Sequence, residues 1–261
     1  MYQEERMLHI LAYLKNHQRI NIEDICQLFD VSRDTARRDL VRMEEQNSII
    51  RTRGGALLPS SEMVIPSYQD RLNTVSLEKK SIGKVAASLI NDRDRVILDS
   101  STTVQACAEF LDAKGCTIIT NSINQADILS DKEDITIHLL GGQLHTQHRY
   151  VYGSAAIERL SHYFVQRAFI GIGGISAKGL TSVSDEEGMI KHKMMQQADI
   201  VIILADQSKF GRELFYKFAD LSEIDLIITD RAPTPEMAEL LKQHEIEVHI
   251  ANQPILKEMS L

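Results

Sequence analysis

The sequence predicts two modules in series: a small, mainly helical one carrying a β-hairpin, and a larger α/β one built on a mostly parallel sheet. Three observations predict this. Through Met43 the apolar residues recur at helical spacing, and an alternating, glycine-punctuated run comes after them. From residue 77 onward, short β-branched and apolar runs alternate with helical patterns, the sequence form of strands joined by crossover helices. Between the two, Pro59, Ser60, Ser61 and Pro66 interrupt regular structure and read as a linker. The modules are therefore drawn at 1–58 and 77–261, with 59–76 joining them.

Composition narrows the class. With 43% hydrophobic and 25% charged residues the chain has the usage of a globular protein. No apolar run approaches the roughly 20 residues that a membrane span requires, and Met1 leads into Tyr2-Gln3-Glu4-Glu5-Arg6 rather than a basic, then apolar, leader. A cytoplasmic protein without a membrane partner is expected. Cys26, Cys107 and Cys116 are odd in number and lack metal-ligand spacing, so neither a disulfide framework nor a zinc site is expected.

In the first module, Met7, Leu8, Ile10, Leu11 and Leu14 form the apolar stripe of a helix over residues 4–17. Asn21 is a suitable N-cap for a short helix, Ile22 to Phe29, and Asp30-Val31 is the turn after it. Ser32 caps a third helix whose inward positions are Ala36, Leu40 and Met43, so Thr35, Arg38 and Arg42 project from the other side with Arg33 and Arg37 beside them. A short helix, a tight turn and a helix with a basic outer face make a helix-turn-helix. The run from Ser48 to Leu57, with Arg51, Arg53 and Gly54-Gly55, reads as a hairpin wing. Thr35, Arg37 and Arg38 would meet base edges of double-stranded DNA, and Arg51 and Arg53 would meet phosphate or the adjacent minor groove. The net charge of −8 points the other way, but phosphates are neutralised by one face, and the arginines concentrate between Arg33 and Arg53.

The stretch Ile22 to Leu40, with Ser32-Arg33-Asp34-Thr35-Ala36-Arg37-Arg38-Asp39-Leu40 at its centre, followed by Arg51-Thr52-Arg53-Gly54-Gly55-Ala56, resembles the DeoR family of bacterial repressors. The resemblance continues through most of the chain. It implies a C-terminal sensor similar to the ribose-5-phosphate isomerase fold, binding a phosphorylated sugar. The two-module layout in turn suggests a homodimer or homotetramer that places two recognition helices on repeated half-sites of operator DNA.

The second module supports an anion site independently. Arg95–Leu98 leads into Asp99-Ser100-Ser101-Thr102-Thr103, Thr117–Thr120 into Asn121-Ser122, and Ile135–Leu140 into Gly141-Gly142. Ala168–Ile170 leads into Gly171-Ile172-Gly173-Gly174, and Val201–Leu204 into Ala205-Asp206-Gln207-Ser208-Lys209. If these strands are parallel, their small and hydroxylated endings gather at one sheet edge, where open α/β sheets bind ligands. Ser100 to Thr103 is the leading phosphate candidate, since hydroxyls and the free N–H groups of a helix start converge there. Gly173-Gly174 lacks the full spacing of a dinucleotide fingerprint, and no cofactor is expected.

By family resemblance, the sensor motifs fall on Asp99 to Thr103, Thr120 to Ser122 and Asp206 to Lys209. The family often carries Gly where this chain has Ser101, which makes backbone approach to a phosphate less assured. Arg149 and Lys209 are added as phosphate or hydroxyl partners and Glu186 as an acceptor for sugar hydroxyls, with ordinary surface ion pairing the alternative for Arg149 and Glu186. Two functions compete: a repressor gated by a hexose phosphate such as glucose 6-phosphate, and a sugar-phosphate isomerase with an attached DNA-binding module. Isomerisation needs a carboxylate base and an electrophilic lysine. Asp99, Glu186 and Lys209 match by type, but Gly171 to Ser176 holds no lysine, so binding without turnover is expected.

Overall fold

The computed structural model describes residues 3–17, 19–45, 48–52, 54–57, 68–73 and 77–252, and the chain divides into two compact units, Met1–Ile65 and Pro66–Leu261. The first unit runs α1 (Gln3–His17), β1 (Arg19–Asn21), α2 (Ile22–Phe29), α3 (Arg33–Glu45), β2 (Ile50–Thr52) and β3 (Gly55–Leu57). Its helices start where the caps dictate. Asn21 Oδ1 accepts from Asp24 N at 2.8 Å while Asp24 Oδ2 accepts from Asn21 N at 3.2 Å, a reciprocal capping box. Asp30 ends α2 in the left-handed region, and Ser32 Oγ accepts from Thr35 N at 3.2 Å.

Ile10, Leu14, Ile25, Ala36, Leu40 and Met43 fill the core of this unit. Leu8 lies outside it, 66% exposed, because at 100° per residue it rotates away from the Met7–Ile10–Leu14 stripe. The wing hairpin forms as expected and gains a third strand, in the order β1-β3-β2. Gly55 is required at the crossing: a Cβ there would stand 2.0 Å from the Ile20 carbonyl oxygen.

The second unit opens with α4 (Tyr68–Asn73) and α5 (Leu77–Ser88), followed by β4 (Arg95–Leu98), α6 (Thr102–Phe110), β5 (Thr117–Thr120), α7 (Ile123–Ser130) and β6 (Thr136–Leu139). A hairpin of β7 (Gln143–His145) and β8 (Tyr150–Tyr152) precedes α8 (Ser154–Leu160), β9 (Val165–Gly171), β10 (Gly174–Ser176) and β11 (Gly179–Ser182). Then come α9 (Asp185–Gln196), β12 (Ala198–Leu204), β13 (Tyr216–Ala219), β14 (Leu226–Thr229), α10 (Pro235–Gln243) and β15 (Glu247–Ile250). The main sheet has seven strands, all parallel, in the order β15-β14-β12-β9-β4-β5-β6. A smaller antiparallel sheet, β10-β11-β13, stands apart from it.

Strand side chains alternate between two cores. Ile97, Ala168, Ile170, Ile203 and Ile227 face α8, α9 and α10, whereas Val96, Leu98, Phe169, Ile202 and Ile228 face α5, α6 and α7. Burial on both faces explains why these strands read as continuous apolar runs.

The stretch expected to be linker holds α4, which belongs to the second unit. Tyr68 is fully buried, its N–H donates to the Gln147 carbonyl at 3.2 Å, and its hydroxyl donates to Gln105 Oε1. Six residues are too few to display a helical period, so tertiary contacts define this element. Pro59, Ser60, Ser61 and Pro66 lie outside the described residues. Among the described residues no helix is long and apolar enough to cross a membrane.

Candidate functional site

In the first unit, α3 presents the expected basic face. Ser32, Arg33, Thr35, Arg37, Arg38 and Arg42 lie along one helix and its cap, with Ala36, Leu40 and Met43 turned inward. The partners of these arginines differ. Arg33 reaches Glu23 at 2.6 Å, Arg42 donates to Gln3 Oε1 at 2.8 Å, and Arg37 stands 4.0 Å from Asp34. Arg51 of the wing pairs with Glu44 at 3.3 Å. Arg38 has no side-chain partner among the described residues, and the Asp34 pairing open to it is taken by Arg37. Arg53 lies outside the described residues.

Asp39, three residues after Ala36 and four before Met43, falls on the inward side of α3 rather than on the basic face. Its carboxylate is fully buried and accepts two hydrogen bonds from Arg6, from Nε at 2.6 Å and NH2 at 3.1 Å, with Gln3 Nε2 adding a third at 3.0 Å. Burial and the Asp39 bond act oppositely on the Arg6 guanidinium, and the bond prevails, holding its pKa above the usual value. This fork clamps α1 to α3 and removes one negative charge from the basic surface.

In the second unit, the parallel register brings the ends of β4, β5, β6, β9 and β12 to one edge. The chain runs from β4 outward through β5 and β6, then returns to β9 on the other flank of β4 and continues through β12, β14 and β15. The strand order therefore reverses between β4 and β9, and a doubly wound sheet opens a ligand crevice at such a point.

Asp99 occupies that crevice, 1% exposed. Its Oδ1 accepts from Ser101 N at 2.7 Å and its Oδ2 from Gly171 N at 3.1 Å, so it ties the end of β4 to the end of β9. Ser101 caps α6, with Oγ accepting from Val104 N at 3.0 Å. A Cβ on Gly171 would lie 2.1 Å from that Oγ, so only glycine allows the loop this close. Ser101 is thus engaged structurally, whereas Ser100, Thr102 and Thr103 are buried as residues and no hydrogen bond ties their hydroxyls to the described residues.

Asn121 and Ser122 are mostly committed to the fold. Asn121 Nδ2 donates to the Val151 carbonyl at 3.1 Å, clipping β8 across the strand ends, while its Oδ1 is buried without a partner. Ser122 caps α7. Gln125 of α7 donates to the carbonyls of Asp99 at 2.6 Å and Ser101 at 3.2 Å, which fixes the loop from a second side.

The remaining expected residues diverge. Arg149, in the β7–β8 turn, donates to Asn124 Oδ1 at 2.6 Å and is exposed. Gly141 and Glu186 are exposed, and Gly173 packs against Leu214 and the Thr181 carbonyl. Lys209 is partly buried, and that burial lowers its pKa against the pull of Asp206.

Sequence reasoning missed the charge at the centre of the crevice. Lys191 of α9, 3% exposed, donates to Asp99 Oδ2 and to the Gly171 carbonyl at 2.8 Å, and stands 3.5 Å from Glu187. The expectation that no lysine adjoins the glycine-rich turn is corrected: the lysine arrives from a later helix. Burial pulls the Lys191 pKa down, but Asp99 and Glu187 outweigh it and the ammonium is held above its usual range. Glu187, the neighbour of the residue singled out, is the carboxylate that reaches inward. The spacing of Glu187 and Lys191, i and i+4 on a helix, is the one signal that could have found them.

A helix-turn-helix with a basic face, carried in one chain with an α/β unit whose crevice opens at the strand ends, defines a DNA-binding regulator. Residues 6–62 match the DeoR-like helix-turn-helix domain, and residues 74–231 match the DeoR C-terminal sensor domain. The chain is 60% identical to the HTH-type transcriptional repressor GlcR of Bacillus subtilis (strain 168), over 97% of its own length and 98% of the relative's. It is 32% identical to the glycerol-3-phosphate regulon repressor of Escherichia coli (strain K12), over 96% of this chain and 100% of that one. The chain belongs to the DeoR family of transcriptional repressors. Among solved structures, ribose 5-phosphate isomerase A from Methanocaldococcus jannaschii matches with TM-score 0.37 and 17% identity, over 54% of this chain and 55% of that one.

Proposed function

We propose that this chain represses genes of sugar metabolism in the cytoplasm and that a phosphorylated sugar in the strand-end crevice controls its affinity for operator DNA. A hexose phosphate such as glucose 6-phosphate is the first candidate. The observation that carries this reading is the crevice itself, where the unpartnered hydroxyls of Ser100, Thr102 and Thr103 meet the start of α6 at the point of strand reversal. Lys209 supplies charge at the same edge, with Asn121, Gly141, Gly173, Arg149 and Glu186 as further candidate contacts. The name of one relative, a glycerol-3-phosphate regulon repressor, supports a phosphorylated signal.

Operator contact is assigned to Ser32, Arg33, Thr35, Arg37, Arg38 and Arg42 of α3 and its cap, with Arg51 and Arg53 on the wing. A homodimer or homotetramer would present two such helices to repeated half-sites, and the effector would select an arrangement with the wrong spacing. Turnover is disfavoured by the state of the residues that would perform it. Asp99 is neutralised by Lys191 and two N–H donors, and Lys191 is held by Asp99 and the Gly171 carbonyl, so neither is free as base or electrophile.

Gel-shift titration at fixed salt tests the reading, with glucose 6-phosphate, fructose 6-phosphate and glycerol 3-phosphate added in turn. One of these is expected to change operator affinity at least tenfold. Unchanged affinity with all phosphorylated sugars, or steady isomerisation of any of them, defeats it.

A further inference from the structure

Helix α4 brings a cation to the strand-end crevice that none of the sequence motifs contains. Tyr68 anchors the helix by its hydroxyl bond to Gln105 of α6 and its N–H bond to Gln147 in the β7–β8 turn. Arg71, one turn on, lies over the Tyr68 ring with its guanidinium carbon 5.5 Å from the centroid. Its carbonyl accepts from Lys79 Nζ at 3.2 Å. From this position its charge acts on Lys79, Lys191, Lys209 and His148 together, so these groups share one neighbourhood.

The carboxylates of that neighbourhood are already engaged. Asp99 and Glu187 serve Lys191, and Asp206 acts on Lys79 and Lys209. Among the described residues no carboxylate pairs with Arg71, and its Nε is buried without a hydrogen-bond partner. A buried N–H of a cation left unsatisfied is costly, and a planar fork of donors matches a phosphate group.

We propose that Arg71 binds the phosphate group of the effector, so that an occupied crevice pins α4, the first described helix after the DNA-binding unit, to the carboxyl ends of the strands. The proposal rests on the effector reading above. It adds the residue that joins ligand to the segment through which the chain enters the sensor.

The test uses the full chain in calorimetric titrations with glucose 6-phosphate, fructose 6-phosphate and inorganic phosphate, together with hydrogen exchange of residues 68–73. At least one phosphorylated sugar is expected to bind the wild type and to slow exchange in α4. Arg71→Gln is expected to weaken that affinity roughly ten- to hundredfold and abolish the slowing, with the unliganded melting temperature unchanged. Equal affinity in Arg71→Gln and wild type overturns the assignment of Arg71 and leaves the effector reading intact. No binding of any phosphorylated sugar to the wild type overturns both. Should Arg71→Gln lower the unliganded melting temperature, Arg71→Lys keeps the charge and loses the fork. Weaker binding at a wild-type melting temperature then supports the proposal, and unchanged affinity overturns it.

Discussion

Lys191 and Asp99 form a buried ion pair across 92 residues of chain, and the two strands that flank the crevice are held at the same point. Asp99 fixes both loops through the N–H groups of Ser101 and Gly171, and Lys191 neutralises the charge that this requires. Removing one partner strands a charge in the interior. Lys191→Met is therefore expected to lower unfolding free energy by about 3–5 kcal/mol in urea titrations. Combining it with Asp99→Asn should cost less than the sum of the two single changes, and strict additivity would mean that the pair is not coupled. Because the Lys191 pKa is raised in the fold, its contribution is complete at neutral pH and is lost as pH rises through and beyond the ordinary lysine range.

His148 should give the protein an acid-side dependence. Burial, with help from Arg71 and His145, pushes its pKa down to about 4. The unfolded chain then binds a proton at a pH where the fold does not, so stability falls as pH drops from the usual histidine value toward 4. Between pH 7 and pH 4 the melting temperature of wild type should fall more steeply than that of His148→Gln. Parallel curves would assign the acid sensitivity to other groups.

Arg38 is the arginine of α3 whose side chain is uncommitted, and Arg38→Ala should abolish specific operator binding while leaving effector affinity and melting temperature unchanged. Arg33→Ala, which also breaks the pair with Glu23, should weaken binding more evenly across DNA sequences. If Arg33 contacts phosphate, the slope of log affinity against log salt falls by about one contact. Loss of effector affinity in Arg38→Ala would indicate misfolding instead.

Gly171→Ala tests the closeness of the two loops. The added methyl would meet Ser101 Oγ at 2.1 Å, so the α6 cap must shift or the β9 end must move. A loss of about 1–3 kcal/mol in stability is expected from such overpacking, accompanied by weaker effector binding. A variant with wild-type stability and affinity would show that the loop adapts.

The helices and parallel strands were legible because their causes are local. Asn21 and Ser32 each cap the helix that starts beside them, and the apolar period assigns Ala36, Leu40 and Met43 to the interior whatever the rest of the chain does. The elements that escape notice owe their form to distant partners. Strand β1 is three residues paired with Leu57, Ala56 and Gly55, and α4 exists around a tyrosine that Gln105 and Gln147 receive. The crevice was legible to the extent that it consists of strand endings. Its hydroxyls lie in one run, but its central cation comes from α9, and nothing near Lys191 in the sequence announces Asp99. The helical period places Asp39 beside Ala36 and Met43, but its partner Arg6 lies 33 residues away on another helix, and nothing local announces it.

The Arg6–Asp39 fork has a practical corollary for changing what the protein recognises. Two parallel hydrogen bonds resist both sliding and rotation, so the supporting helix holds the orientation of α3 without help from Thr35, Arg37 or Arg38. Scaffold and reading surface are thereby separable. Replacing Thr35, Arg37 and Arg38 with residues suited to another base sequence should redirect the protein to a new operator without rebuilding the domain that carries them.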